Sequence, residues 1–209
     1  MSKKNVAWQV WEYEGHSCIV FHHHGLAARR EGAGELGEEF EYVECTRAPQ
    51  FDQYAELGKV PPMALLEAGW WFECSHCGHQ VMDDDGRDED ENTPLDKVVV
   101  VGQAVYCNQS CKDGHDKEKA DRESAFQAFK ESVKTKRPDL TFTDFQGGWP
   151  WITMVAKFTF PGAKYGGSAR DQDGNGEITW HIARGDIKAW EAYEAEAERL
   201  EHASAKETA

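Results

Sequence analysis

The sequence predicts an α+β protein: a small mixed sheet with helices, built around a central metal-binding module. Three observations carry that expectation. Stretches that alternate with period two are interspersed with stretches of helical period. Pro and Gly stand where those stretches should end. Four of the six cysteines fall into two close pairs, Cys74/Cys77 and Cys107/Cys111.

Residues 6–24 read as two strands, with Glu14-Gly15-His16 as the turn between them. Leu26 to Leu36 reads as a helix, weakened by Gly32 and Gly34 at about 1 kcal/mol each. Phe40 to Cys45 alternates like a strand. Pro61-Pro62 opens a short helix over Met63 to Ala68, and Gly69 closes it. Trp70-Trp71-Phe72 leads into the first cysteine pair. Leu95 to Tyr106 reads as two strand pieces around Gly102-Gln103.

A helix follows the second pair and runs to about Lys136, with Phe126, Phe129 and Val133 forming one apolar stripe. Pro138 stops it. Leu140 to Phe145 and Trp151 to Phe160 are strand-like, Gly162 to Gly176 is loop, and Glu177 to Ala183 is a strand. Asp186 to His202 is a helix marked by Ile187, Trp190, Tyr193, Ala197 and Leu200. The expected segments are 1–69 (N-terminal α/β), 70–137 (zinc-binding) and 138–209 (a β-hairpin plus helix).

Composition limits what the chain can do. Of 209 residues, 40% are hydrophobic, enough for a core and too many for a disordered chain. No stretch approaches the roughly 20 apolar residues of a membrane span, and the N-terminus lacks a signal-peptide pattern. The expected location is therefore cytoplasmic, with reduced thiols. The formal net charge is −15, so a nucleic-acid partner is disfavoured by charge. Asp83 to Glu91 holds seven acidic residues and one Arg, a net of −6. That run reads as a solvated loop or as a lure for a basic partner.

The paired cysteines carry the most specific chemistry. Cys74-Ser-His-Cys77, followed by Gly78, has the spacing of a turn that aims two thiolates at one point. Cys107 and Cys111 are spaced i, i+4, so on a helical turn both sulfurs share one face. Zinc binds four such ligands tetrahedrally, and a helix N-terminus favours thiolate over thiol. Four thiolates leave no open position for water, so the expected Zn2+ is structural. Unrelated buried thiols, a redox Cys-x-x-Cys, and replacement of one Cys by His79 or His115 stay open as alternatives.

The order of knuckle, loop, strands and Cys pair at a helix start resembles the treble-clef zinc fingers. Tyr106-Cys107-Asn-Gln-Ser-Cys111-Lys resembles the second half of their MYM/TRASH-like members. The resemblance spans residues 70 to about 135 and departs from the pattern in two places. The 29 residues between Cys77 and Cys107 are a long insert, and the second pair has three spacer residues where many treble clefs have two. Size, acidity and the knuckle also resemble small uncharacterised proteins of bacteriophages. That likeness implies a host or phage protein as partner, with nucleic-acid mimicry by acidic faces as one form of it.

Weaker patterns remain. Asp171, Asp173, Asn175 and Gly176 match the start of an EF-hand loop, but Ile182 stands where the closing Glu belongs. A polar hairpin turn between the flanking strands is the simpler reading. His22 and His24 could share a metal on one face of a strand, with Cys18 and His16 near, but a strand edge with polar His is the simpler reading. Cys18 and Cys45 read as core partners on neighbouring strands. Gly147-Gly-Trp149-Pro-Trp151 could form an exposed aromatic patch, with core packing at a strand entry the simpler reading. Lys130, Lys134, Lys136 and Arg137 form a basic helix end that serves the helix dipole. No catalytic residue is singled out.

The expected function is therefore a zinc-binding, non-enzymatic protein-interaction protein with no membrane association. Two alternatives are a zinc-scaffolded enzyme acting on nucleic acid or nucleotides, and direct nucleic-acid binding by the finger.

Overall fold

The computed structural model describes residues 4–83 and 94–207, with side chains through residue 199. Of the acidic run at 83–91, residues 84–91 lie outside the described residues. The α+β class holds, and the strands sort into several small antiparallel sheets. No helix among the described residues is long and apolar enough to cross a membrane. The chain forms two compact units, residues 1–112 and 113–209.

The first unit opens with β1 (Val6–Glu12) and β2 (Ser17–His22), joined by a turn whose Gly15 has φ 100°. Helix α1 (Gly25–Leu36) follows, then β3 (Val43–Arg47), and the sheet order is β2-β1-β3. His24 caps α1, its Nδ1 accepting the Leu26 N–H at 3.2 Å. Gly37 ends the helix in the left-handed region at φ 75°.

Gly32, which weakened the helix on paper, is required by packing. A Cβ there would sit 2.6 Å from the Val10 side chain, so the helix touches the sheet only because that position is bare. Ala28 and Ala33 are buried with Val10, Val20 and Val43 in the same layer. Each fully buried Val contributes about 1.5–3 kcal/mol relative to exposure.

Two expectations need correction here. Phe40–Tyr42 is a 3₁₀ turn rather than the start of a strand, and β3 begins at Val43. The Tyr42 N–H closes that turn on Glu39 O, and the Arg29 guanidinium lies 4.4 Å over the Phe40 ring. Cys18 and Cys45 belong to one core cluster, but β1 separates their strands, with Val10 opposite both.

Pro62–Leu66 forms the short α2. Next come β4 (Trp71–Glu73), β5 (Gln80–Met82), β6 (Val99–Val101) and β7 (Ala104–Tyr106), paired as two hairpins. Leu66, Val81, Val98, Val105 and Tyr106 close a small core beside Cys74 and Cys107. Helix α3 (Gln109–Lys136) begins between the two cysteines of the second pair, so Cys111 lies in its first turn, and it ends at the expected Lys136.

The second unit holds the order β11-β10-β9-β8. Its strands are β8 (Thr141–Gln146), β9 (Met154–Thr159), β10 (Gly167–Asp171) and β11 (Thr179–Ile182). Strand β10 corrects the expected loop at 162–176, and so also the expected hairpin between 151–160 and 177–183. At its first residue, Gly167, the neighbours leave no room for a side chain. A Cβ on Gly167 would lie 2.5 Å from His181 O and from the Phe158 ring.

Helix α4 (Ile187–Glu207) packs Trp190 and Tyr193 against Phe158 and Phe160, with ring centroids 4.9–6.0 Å apart. Arg137 joins this layer, stacking on Trp190 and bridging Asp139 and Glu194 at 2.6 and 2.7 Å. Its guanidinium holds the Asp139 carboxyl down at about 2. The basic end of α3 therefore does more than answer the dipole: Lys130 lies over Phe126 and Lys134 over Phe145.

Two neighbouring helix glycines should respond in opposite directions. Gly34 faces open space, so Gly34→Ala should stabilise by about 0.5–1 kcal/mol through helix propensity. Gly32→Ala should destabilise by about 1–3 kcal/mol through the clash with Val10. Urea denaturation of both variants checks the pair, and equal gains would contradict the packing.

Candidate metal centre

The first two thiols sit in the turn between β4 and β5. Cys74 N–H donates to His79 O at 2.8 Å, and Gly78 N–H donates to Cys74 O at 3.0 Å. Gly78 has φ 73°, a left-handed conformation that Gly adopts without strain. The knuckle is tied to the next hairpin by Ser75 N–H, which donates to Val105 O at 2.8 Å.

The second two thiols come from the end of β7 and the start of α3. Tyr106 is buried, and the chain leaves β7 directly into Cys107. Asn108 caps the helix: its Oδ1 accepts the Cys111 N–H at 3.0 Å. That cap fixes the first turn and with it the direction of the Cys111 side chain.

The four sulfurs meet. Cys77 Sγ lies 3.6 Å from Cys107 Sγ and 3.8 Å from Cys111 Sγ. All four ligand atoms lie within 4.8 Å of one another. A tetrahedron with metal–sulfur bonds of about 2.3 Å has edges of about 3.8 Å. Cys74 and Cys107 are buried, Cys111 is half-buried and Cys77 is exposed. This is the one group of three or more potential metal-ligating side chains found among the described residues. Neither His79 nor His115 belongs to it; the His115 ring lies 4.9 Å from that of Trp149.

Burial works against charge on Cys74, yet the N–H groups of Cys77, Cys107 and His76 outweigh it and bring the thiol down to about 6. The Cys107 N–H stands 3.5 Å from that sulfur. Burial and the neighbouring sulfurs push Cys107 up to about 12 and Cys111 up to about 11. The thiol that backbone N–H groups lower is therefore Cys74 in the knuckle, while the two at the helix start are raised. With no metal, the protons held on Cys107 and Cys111 face the lowered Cys74 thiol, and a divalent ion replaces them.

The remaining sequence patterns resolve into local structure. Asp171 is buried and accepts the N–H groups of Asn175 (3.2 Å) and Gly176 (2.8 Å), so its carboxylate organises the turn. Asp173 joins no group of His, Cys, Asp and Glu ligands among the described residues, and Asn175 Oδ1 accepts the Glu177 N–H at 2.8 Å. His22 Nδ1 accepts the His24 N–H at 3.2 Å, and His24 Nδ1 is spent on the α1 cap. His16 Nδ1 lies 2.8 Å from Glu12 Oε1. The N–H of Glu14 leads in keeping the Glu12 carboxyl below its usual range, against burial and with help from His16. Cys18 and Cys45 stand apart from the metal-binding group. Burial raises both thiols, Cys18 to about 12, with Glu35 adding to the effect.

Sequence reading missed the Asn108 cap, although Asn at that place before a helix is a readable signal. The Trp149–Trp151 segment divides between its two readings, and the simpler one, core packing, fails at Trp151. Trp149 is half-buried against α3, but Trp151 is 68% exposed. No protein-family profile, curated protein or solved structure matches the chain.

Two outcomes follow from this geometry. Cys→Ser at 74, 77, 107 or 111 should each abolish stoichiometric metal, whereas Cys18→Ser and Cys45→Ser should retain it; metal analysis of the purified variants checks this. Because Cys107 and Cys111 hold protons at neutral pH when metal-free, metal binding must displace them. Calorimetry in buffers of different ionisation enthalpy should show proton release, and affinity should fall as pH drops. A pH-independent affinity between pH 6 and 8, a range of roughly ±1 about neutrality, would contradict the thiol ligand set.

Proposed function

We propose that Cys74, Cys77, Cys107 and Cys111 hold one structural zinc ion. The observation that carries this reading is the match between the observed sulfur separations of 3.6 and 3.8 Å and the edge of a tetrahedral zinc–thiolate site, about 3.8 Å. Zinc suits the set because it accepts four thiolates without preferring another geometry. With four protein ligands there is no position for water, so the ion acts by holding chain segments together.

The order of knuckle hairpin, second hairpin and helix supports the treble-clef-like reading, with the module running from residue 70 into α3. We read the protein as a non-enzymatic interaction protein, in which the ion braces a surface for another protein. The charge of −15 supports a basic protein partner over nucleic acid. The likeness to small bacteriophage proteins, in size, acidity and knuckle, agrees with a host or phage protein in that role.

A structural ion contributes to folding where it is bound. Removing it with a strong chelator should therefore raise amide hydrogen exchange in residues 71–82 and 99–111. Strands β8 to β11 should keep their protection. Uniform protection after complete metal removal would overturn the structural role.

A further inference from the structure

The second unit carries an apolar projection that its own core does not need. Trp151 is 68% exposed and Ile152 is 56% exposed. Singly exposed apolar residues are ordinary, but two adjacent large ones next to hollows mark a contact surface. Two hollows of about 420 and 820 Å³ adjoin this pair, and both are lined by Arg122, Trp151 and Ile152. Such volumes are in the range of binding clefts.

The pair is held in place. The Arg122 guanidinium lies 5.0 Å over the Trp149 ring and donates to Pro150 O. Glu123 accepts the Trp149 N–H at 3.1 Å, and Trp151 N–H donates to Gly148 O at 2.7 Å. On the other side, Thr153 Oγ1 donates to Gln172 O at 3.0 Å. The turn that Asp171 organises packs on Ile152, where a Cβ on Gly174 would lie 3.5 Å from the Ile152 methyl. The EF-hand-like segment thus forms one wall of the smaller hollow. A projection fixed in advance loses little entropy when a partner covers it.

Charge selects the partner. The smaller hollow is lined by Glu118, Asp121 and Asp173 against Lys117 and Arg122. Arg122 is engaged with Glu118. The Asp121 and Asp173 side chains are exposed and make no hydrogen bond or ion pair among the described residues. Two open carboxylates beside an indole suit a ligand with a cation next to an apolar side chain. The chain's charge of −15 disfavours a second copy and any polyanion.

We propose that the Trp151–Ile152 projection is a docking site for a basic, apolar-anchored peptide segment of another protein. The apolar anchor fills the hollow between α3 and the Asp173–Gly174 turn, and a Lys or Arg beside it meets Asp121 and Asp173. This refines the interaction reading above by placing the surface and naming the partner chemistry. It does not depend on the zinc centre.

The test uses the full metal-loaded chain and a short fluorescein-labelled peptide with a central leucine flanked by lysines. The control peptide carries glutamate at every lysine. Anisotropy should show the lysine peptide binding, weakening with added salt, and the glutamate peptide failing to bind. Trp151→Ala should weaken binding at least about tenfold, and Asp121→Asn with Asp173→Asn should remove the salt dependence. Both variants should keep the wild-type zinc content, which separates failure here from failure of the metal reading. No binding by the lysine peptide, equal binding by the glutamate peptide, or indifference to Trp151→Ala would overturn the proposal. So would a concentration-dependent dimer abolished by Trp151→Ala, since the occupant would then be a second copy.

Discussion

The convergence of four sulfurs from two separated stretches of chain is the constraint on which the middle of this protein depends. Strands β4, β5, β6 and β7 are three residues each. Isolated two-stranded hairpins of that size are marginal in water. Their shared core is also modest, built on Leu66, Val81, Val98, Val105 and Tyr106. Bringing Cys107 back to Cys77 closes a long loop, at a cost of about 3 kcal/mol plus a constant. Structural zinc sites contribute apparent free energies of about 10–16 kcal/mol at neutral pH. An ion at the four sulfurs is thus large enough to decide whether this region folds, where hydrogen bonds such as Ser75 to Val105, at about 1 kcal/mol each, are not.

The second unit is held by different means. Its sheet buries Ala156 and Ala169 under α3 residues Phe126, Phe129 and Val133, and stacks Phe142, Phe158, Trp180 and Trp190 in aromatic contact. Buried Asp186 accepts the N–H groups of Lys164, Tyr165 and Gly166, so its charge is offset by three donors. The bracing around Trp149 and Pro150 continues that economy out to the surface. The same side chains that fix the loop, Arg122 and Glu123, leave Trp151 directed away from the core.

The sequence disclosed most of what chemistry marks strongly. The knuckle, the helix from 109 to 136 with its Phe126-Phe129-Val133 stripe, and the turns at Gly15 and Gly102 were all readable from spacing. What escaped it depended on partners far along the chain. Strand β10 is made of Gly, Ser, Ala, Arg and Asp, a composition of loops, and is a strand because β9 and β11 pair with both its edges. Gly32 looked like a weak point in a helix because Val10, which requires it, is 22 positions away. Asp171 organises a polar turn, which was the simpler of its two readings, because an organising carboxylate and a metal ligand follow the same sequence pattern. Charge state at the cysteines was equally invisible, since it depends on how many N–H groups face Cys74 in three dimensions.

X-ray absorption at the zinc edge of the purified, metal-loaded chain tests the central claim most directly. The account predicts one zinc per chain with four sulfur neighbours at about 2.3 Å. Nitrogen or oxygen neighbours at about 2.0–2.2 Å in the first shell, or fewer than four sulfurs, would contradict it.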